Sequence, residues 1–498
     1  MTALGEPASW EHTVIRPKRV TGVNSPFAAV PLLGRRVRAP SRLCDSADVS
    51  SDQTPESGRT ADVRTVLVSS VIGTTVEWYD FFLYSTAAGL VFDELFFPSD
   101  DPYIGTMLAF VTFFVGFVAR PLGGVLFGHI GDRIGRKRTL VSTMVLMGLA
   151  TAAMGLLPTY QQVGMLAPAL LVLLRLLQGL AIGGEWAGAV LMAVEYAPPG
   201  RRARYGAWPQ VGLALGLGLG TGLFALLGNS LDEQQFLDYG WRIAFGLSIV
   251  LVFVGLAIRL RVSETPAFRR MRALEGAARV PILELFREPV RRRNTLLGLL
   301  SRWAEGAAFN TWAVFFISYS TSTLGMARND VLVAIMAASI TLAVLIPVFG
   351  AVADRWTPRR TYALGAAVYG VLVYPAFLAF QSRDPLLAGL VVVLLLGVVH
   401  AVIYAPQGTF YAQLTPVRLR YTGMSFVYQF SGIYASGLTP LIVTALLAAG
   451  GGSPWLACGY LLLTGVIGAV AALAIRERDL FATAETAPDA TSRESVHA

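Results

Sequence analysis

The chain has 498 residues, 54% of them hydrophobic and only 14% charged, against roughly 25% charged for ordinary soluble domains. So little charge cannot clothe a soluble globule of this length, and the 50 glycines suit membrane helices, where glycine is more frequent than in soluble ones. The net charge of +8 does not point to nucleic acid, since the basic residues lie between apolar runs and not on a domain of their own; two distant cysteines, Cys44 and Cys458, give neither a disulfide framework nor a metal-ligand spacing.

Residues 1–62 form a polar tail rich in Pro, Ser, Arg and Asp. It lacks the apolar core of a signal peptide and is expected to be disordered or an overcalled start. A spanning helix needs about 20 mostly apolar residues. Such runs fall near 66–92, 103–128, 139–157, 167–194, 205–228, 240–260, 296–319, 330–352, 361–381, 386–411, 421–448 and 455–475, here called spans 1 to 12. Several exceed the minimum, which implies tilt or ends projecting into water.

Lysine and arginine orient the spans. Of the 40, 34 fall in the two tails and in every second connection, whereas the alternating connections hold only Arg328 and Arg383. Both tails are therefore expected on the cytoplasmic side of a cell membrane. The 259–294 connection carries 10 of these basic residues and divides the spans six plus six. The expected organisation is a tail (1–62), a first bundle (63–260), a central cytoplasmic loop (261–294), a second bundle (295–476) and a C-terminal tail (477–498). Within the loop, "PILELFREP" is amphipathic enough for a short interfacial helix.

Four arginines, Arg120, Arg175, Arg242 and Arg302, lie within or at the start of spans. Span 1 adds two acids in "GTTVEWYDFFLY", Glu77 and Asp80, on one face with Gly73 and Tyr84. A charged side chain at the bilayer centre costs about 2.5–3.5 kcal/mol even on the lenient insertion scale. Two carboxylates this close cannot both ionise cheaply unless cations pair with them. Arg120 and Arg175 are the cations at that depth in the first six spans. Together these four residues suit proton coupling: a carboxylate that pairs with arginine in one state and takes a proton when the pair separates. Arg120 precedes Pro121 and Gly123–Gly124, where helices are expected to pack closely. A static ion-pair network fixing helix register is the competing reading.

In span 4, Gln178 and Glu185, seven residues apart, lie nearly in line, with Arg175 one turn before Gln178. Span 5, "GLALGLGLGTG", repeats small residues at Gly212, Gly216 and Gly220, a spacing for backbone contact between helices. No strand precedes it and no Lys-Ser/Thr follows, so it is no nucleotide loop. Span 7 sets Arg302 and Glu305 three apart, with Phe309 and Trp312 continuing the stripe and Asn310 beside it. Span 10 aligns His400, Tyr404, Gln407 and Tyr411, and span 11 carries Ser425, Tyr428 and Gln429. Tyr84, Arg175, Gln178, Arg302, Asn310, Tyr404, Gln407 and Tyr428 are the candidate substrate-binding residues. Arg302 is the candidate anchor for an anion through its planar fork, unless Glu305 neutralises it internally.

The connection after span 2, "GHIGDRIGRKR", and the one after span 8, "GAVADRWTPRR", repeat a glycine followed four residues later by Asp-Arg. The first resembles the loop 2–3 signature of the major facilitator superfamily, and "RLLQGLAIGGEWAG" (175–188) resembles its span-4 signature. With "GTTVEWYDFFLY", "FVARPLGGVLFGHIGDR" and "SETPAF" (263–268), residues 65–476 resemble the metabolite:H⁺ symporter family, whose members carry proline/betaine, α-ketoglutarate, citrate and shikimate. The resemblance implies an all-α membrane protein of twelve transmembrane helices in two six-helix halves. It also implies a gating motif made of Gly128, Asp132, Arg133, Gly135, Arg136, Lys137 and Arg138, with Asp132 capping a neighbouring helix end and pairing with arginine. The second copy, with Asp354 and Arg355, lacks the glycine after Asp-Arg and gains Pro358, which puts its role in doubt.

The expected function is proton-coupled uptake of a small organic acid or zwitterionic metabolite by alternating access. "STAAGLVFDELFFP" leans the reading towards shikimate-like organic acids. A proton-antiport exporter of drugs or metabolites is the alternative, although span 5 begins "WPQVG" in place of the glycine-proline pair frequent in such exporters. An intramembrane enzyme or receptor has no motif here: neither His-Glu-x-x-His nor Gly-x-Ser-x-Gly occurs. The expected partners are the small-molecule substrate, protons and the lipid bilayer, with no nucleic acid, metal or cofactor, and the expected state is a monomer.

Overall fold

The computed structural model describes residues 56–99, 102–134, 136–183, 185–261 and 281–481; for 56–66, 102, 128–134, 136–140, 185, 258–261 and 281 it describes the backbone alone. The described residues hold helices, turns and no strand. All twelve apolar runs lie largely on helix. Among the described residues, nine helical segments are long and apolar enough to cross a membrane: Tyr103–Phe127, Leu166–Glu195, Arg202–Ser230, Glu233–Ala257, Arg328–Arg355, Pro358–Phe380, Pro385–Ala412, Val417–Ala449 and Trp455–Ala474. Helices Glu56–Leu90 and Arg136–Met154 occupy the positions of spans 1 and 3, and a helical stretch over 289–323 that of span 7. Span 7 reads as less apolar because it carries Arg302, Glu305 and Asn310.

Large apolar side chains on the outer faces stay exposed, among them Leu149 at 60%, Phe253 at 65% and Val371 at 69%. In water such patches mark interaction surfaces; spread along spans 3, 6 and 9 they are the faces a bilayer covers. The expected interfacial segment is helical over Pro281–Arg287. It buries Leu285, sets Phe286 edge-on to Phe426 and leaves Leu283 exposed.

Small residues decide where helices touch. A Cβ on Gly212 would lie 2.6 Å from the Thr74 side chain, and one on Gly216 2.7 Å from that of Trp78, so span 5 rests its glycine stripe on span 1. Its opposite face meets span 8, where a Cβ on Gly218 would lie 2.7 Å from Ser339 Oγ. Spans 2 and 4 cross the same way: Gly123 lies against the Leu180 carbonyl, Gly183 against that of Arg120, and Gly179 against that of Gly116. The close packing expected at Gly123–Gly124 is present, and it fixes Arg120 and Arg175 on neighbouring backbones.

Spans 7, 10 and 11 are not uniform α-helices. Wider π turns interrupt them at Thr311–Phe315, Tyr319–Thr323, Val393–Val399 and Gly432–Gly437. Such turns insert a residue into the helical register and recur at functional positions.

Candidate functional site

The two acids of span 1 part company. Asp80 is fully buried and faces the hydroxyls of Thr151 on span 3 and Ser248 on span 6. Neither carboxylate oxygen has a partner in hydrogen-bonding geometry among the described residues. Glu77 instead lines a small cavity with Thr74, Trp78, Phe81, Arg120, Ile182, Trp186, Tyr428 and Gln429. Three residues along an α-helix turn by about 60° from alignment, enough to send one acid into the interior of the first six spans and the other to the seam with the last six.

The pairing of Asp80 with arginine, expected from depth alone, is not made. Arg175, 1% exposed, donates from Nη1 to Gln178 Oε1 and lies over the rings of Tyr84 (4.0 Å) and Phe81 (4.8 Å). Gln178 Nε2 donates to Thr151 Oγ1 at 2.9 Å and to the Asp80 carbonyl at 3.3 Å. The glutamine therefore ties the Arg175 guanidinium to the backbone of span 1 at Asp80, while the Asp80 carboxyl itself is left out of the network. Tyr84 hydrogen-bonds Thr112. Tyr84 and Gln178, candidates for substrate contact, are thus engaged inside the first six spans and do not reach the seam cavity. Arg120 packs over Phe117 (4.2 Å), Phe81 (4.5 Å) and Trp78 (5.8 Å). Nε and Nη2 of Arg120 and Arg175 find no acceptor among the described residues. These contacts are cation–π attractions, worth about 2 kcal/mol or more when desolvated.

The seam cavity holds about 20 Å³, room for about one water. Across it Trp186 stacks on Tyr428 at 3.9 Å, joining span 4 to span 11. Neither Trp78 nor Trp186 stands out as a candidate in the sequence; their signal is position, each tryptophan directly following a glutamate within a span.

In the last six spans the acid and base do pair. Arg302 and Glu305 form a buried ion pair one turn apart on span 7. Gln407 Nε2 donates to Glu305 Oε2 at 3.3 Å, and His400 Nε2 lies 3.8 Å from Oε1. Arg302 also sits 4.5 Å from the Tyr428 ring. As an anion anchor Arg302 is thus already neutralised in this conformation. Asn310 donates to the Gly306 carbonyl of its own helix at 2.8 Å, a local bond. Tyr404 stacks on His400 at 5.4 Å, and its hydroxyl has no partner among the described residues. Tyr411 joins Tyr362 at 3.3 Å.

The seam is closed on the side of the basic connections. Asp354 Oδ1 and Oδ2 accept from the backbone N–H groups of Ala203 (2.7 Å) and Arg204 (3.0 Å). These begin the span-5 helix, whose own N-cap, Arg201, makes no side-chain cap. A carboxylate there satisfies orphan donors and meets the positive end of the helix dipole. Thr409 Oγ1 donates to the Arg202 carbonyl (3.2 Å), and Gln210 Nε2 to that of Ala405 (3.1 Å). The second motif copy, the doubtful one, thus makes the helix-capping contact, while Arg355 is exposed. The first copy, Gly128, Asp132, Arg133, Gly135, Arg136, Lys137 and Arg138, lies outside the described residues or side chains, as does the side chain of Glu185. On the opposite side Arg328 reaches Glu233 at 3.5 Å beside a larger cavity of about 330 Å³, remote from the buried acids.

Residues 65–281 match the family model for "Sugar (and other) transporter". The chain is 39% identical over 408 residues to the inner membrane metabolite transport protein YhjE of Escherichia coli (strain K12), covering 80% of this chain and 90% of that protein. It is 38% identical over 419 residues to the shikimate transporter of the same organism, covering 83% and 94%. With the E. coli proline/betaine transporter it shares 30% over 426 residues, covering 83% and 84%. A solved D-xylose-proton symporter superposes with a TM-score of 0.65 at 15% identity, over 83% of this chain and 97% of that one, a likeness of fold alone.

Proposed function

The chain belongs to the major facilitator superfamily of membrane transporters, and on that premise we propose that it carries a small organic acid or zwitterion inward together with protons, as a monomer in the inner membrane with both termini cytoplasmic. The observation that carries this reading is the mismatch inside the first six spans. Asp80 and Arg175 are both buried, both without an opposite charge in bonding reach among the described residues, and both tied to Gln178, Arg175 by its guanidinium and Asp80 by its backbone carbonyl. Burying an unpaired charge is expensive, and pairing it or neutralising it relieves the cost. A carboxyl group in that setting has two relieved states: neutralised by a proton, or ionised against Arg175 once Gln178 gives way.

Alternation between those states, timed to the rocking of the spans 1–6 half against the spans 7–12 half around the Glu77–Arg120–Tyr428 cavity, is the coupling. Asp354, seated at the start of span 5, holds the cytoplasmic side shut in the present conformation. The cavity supplies one acid, one guanidinium and several aromatic faces, which suits a compact anion or zwitterion. Of the two, the similarity to the shikimate transporter favours the organic acid.

Counterflow in proteoliposomes tests the reading, with labelled shikimate, other organic acids and betaines, with and without an imposed pH gradient. The expected result is accumulation driven by inward-directed ΔpH. Asp80→Asn should abolish gradient-driven accumulation while sparing exchange more than net uptake. Accumulation at the wild-type level in Asp80→Asn removes that residue from the coupling role; uptake indifferent to ΔpH, with no H⁺ entering beside the solute, removes proton coupling itself.

A further inference from the structure

His400 and Glu305 take no part in the coupling just described, yet they form a further buried acid–base cluster. His400 is fully buried, held between the rings of Phe309 (5.0 Å) and Tyr404 (5.4 Å). Neither ring nitrogen has a hydrogen-bond partner among the described residues. A residue kept only to fill that space gains nothing from an imidazole, because two polar nitrogens lose water and recover no bond. Nε2 nonetheless points at a carboxylate, 3.8 Å from Glu305 Oε1, while Oε2 receives Gln407 and the ion pair with Arg302 is in place. Glu305 is thus held on one oxygen and faces an unbonded imidazole with the other.

The helices that carry the two groups each hold a π turn close to them. His400 begins the α-helical segment directly after the π turn Val393–Val399. Glu305 lies less than two turns before the π turn Thr311–Phe315. Such turns recur at functional positions, and closing 3.8 Å to hydrogen-bond distance asks less than about 1 Å of movement.

We propose that Glu305 and His400 form a second proton-carrying site, located in the last six spans and separate from Asp80. In one arrangement Glu305 is ionised against Arg302 and His400 is neutral. A proton entering on Nε2 makes the imidazolium; Nε2 passes it to Oε1, leaving a neutral carboxylic acid, a neutral imidazole and an Arg302 free of its partner. Release reverses the two steps. The titratable and charged groups that face the pair are Arg302 on span 7, Tyr362 on span 9, Tyr404 and Tyr411 on span 10, and Tyr428 on span 11. The arginine stays charged and the phenols neutral near pH 7, so only Glu305 and His400 exchange a proton there. When Glu305 is protonated, Arg302 becomes an available cation beside the seam, which ties proton entry to anion capture.

The site rests on the proton-coupled reading and is tested separately from it. Full-length protein in proteoliposomes, with an internal pH dye and labelled shikimate as probe (glycine betaine if shikimate is not carried), gives the H⁺ entering per solute and the pH dependence of exchange between about pH 5 and 8. His400→Gln leaves the Arg302–Glu305 pair standing, and Glu305→Gln keeps the bond from Gln407 with the charge removed. Each is expected to lower H⁺ per solute at least twofold and to delete one titration step from the exchange profile, two readouts that loosened packing does not move. If Glu305→Gln fails to fold, His400→Gln and His400→Asn carry the test. Wild-type coupling with an unaltered ratio and profile in the folded variants overturns this site alone. Wild-type protein that moves no H⁺ overturns the proton-coupled reading and this site together.

Discussion

Removing Asp354 should unlatch the basic side of the seam by an amount the structure sets. Its two carboxylate oxygens accept from the first N–H groups of span 5 at 2.7 and 3.0 Å, across the boundary between the two sets of six spans. Loss of a helix-capping side chain costs about 0.5–2 kcal/mol, and loss of a negative charge at the positive helix end about 0.3–1 kcal/mol more. Asp354 is partly exposed, so screening keeps the sum near about 2 kcal/mol. All of it is lost from the closed state only. At about 1.4 kcal/mol per tenfold, Asp354→Ala should raise the population open on that side by roughly 30-fold. Asp354→Asn keeps an acceptor and loses the charge, so it should raise that population about two- to fivefold. The reporter is Thr409→Cys, a position 2% exposed in the closed seam, in a background with Cys44 and Cys458 replaced by serine. Its alkylation by a hydrophilic maleimide in nanodiscs is measured as a rate. Equal rates with and without the Asp354→Ala substitution would refute the latch.

Three further outcomes follow from packing and charge. Arg302→Met strands a buried carboxylate and should cost about 3–5 kcal/mol, whereas Arg302→Met with Glu305→Met should regain most of that; thermal unfolding of the single and double variants checks it, and equal losses contradict the pair. Gly116→Ala places a Cβ 2.5 Å from Arg175 Nε, forcing the guanidinium off Tyr84, and should slow transport roughly tenfold or more, while Gly246→Ala, which meets open space, should leave it unchanged. Glu477, bonded by Arg359 and beside Arg360, has its carboxyl held below the usual glutamate range by those arginines. Its stabilising effect is therefore present above the unfolded value of 4.5 and lost as pH falls through the lower folded value. Glu477→Gln should unfold earlier than wild type at neutral pH and converge with it in acid; a gap that persists in acid contradicts the assignment.

Much of this is legible in the chain because the bilayer writes directly into composition. Apolar runs of about 20 residues mark spans, and the cost of a charge inside them singles out Glu77, Asp80, Arg120, Arg175, Arg302 and Glu305 before any geometry is known. The glycine stripe of span 5 predicts a backbone contact, and it makes one with span 1. What periodicity does not supply is direction at finer grain. Glu77 and Asp80 share a face by the three-residue rule, yet the angle of about 60° between them separates seam from interior. Depth suggests that Arg175 meets Asp80, but Gln178, three residues on, sits closer and takes the guanidinium. The stripe from Arg302 through Trp312 assumes an unbroken α-helix; the π turn beginning at Thr311 turns Trp312 towards Tyr369, Phe377 and Phe380 of span 9. The His400–Tyr404–Gln407 alignment survives because all three lie within one α segment, His400–Ala412.

Under the proposed coupling, a proton on Asp80 has to act on a cavity that Asp80 does not line, so substrate and proton need not touch. The link is mechanical. Span 1 carries Asp80 on one side and Glu77 on another, so whatever rotates the helix moves both. Span 5 is seated on span 1 through Gly212 and Gly216 with no glycine side chain to hold the backbones apart, which leaves little slack for one helix to move without the other. The first turn of span 5 is in turn what Asp354 holds. A change of partner at Asp80 therefore works on the same rigid pair of helices that the latch restrains, and opening the latch disturbs the Asp80–Gln178–Arg175 arrangement from the other end. A buried carboxyl group and a buried guanidinium left without each other are a costly way to build a static bundle and a serviceable way to build one with two stable arrangements.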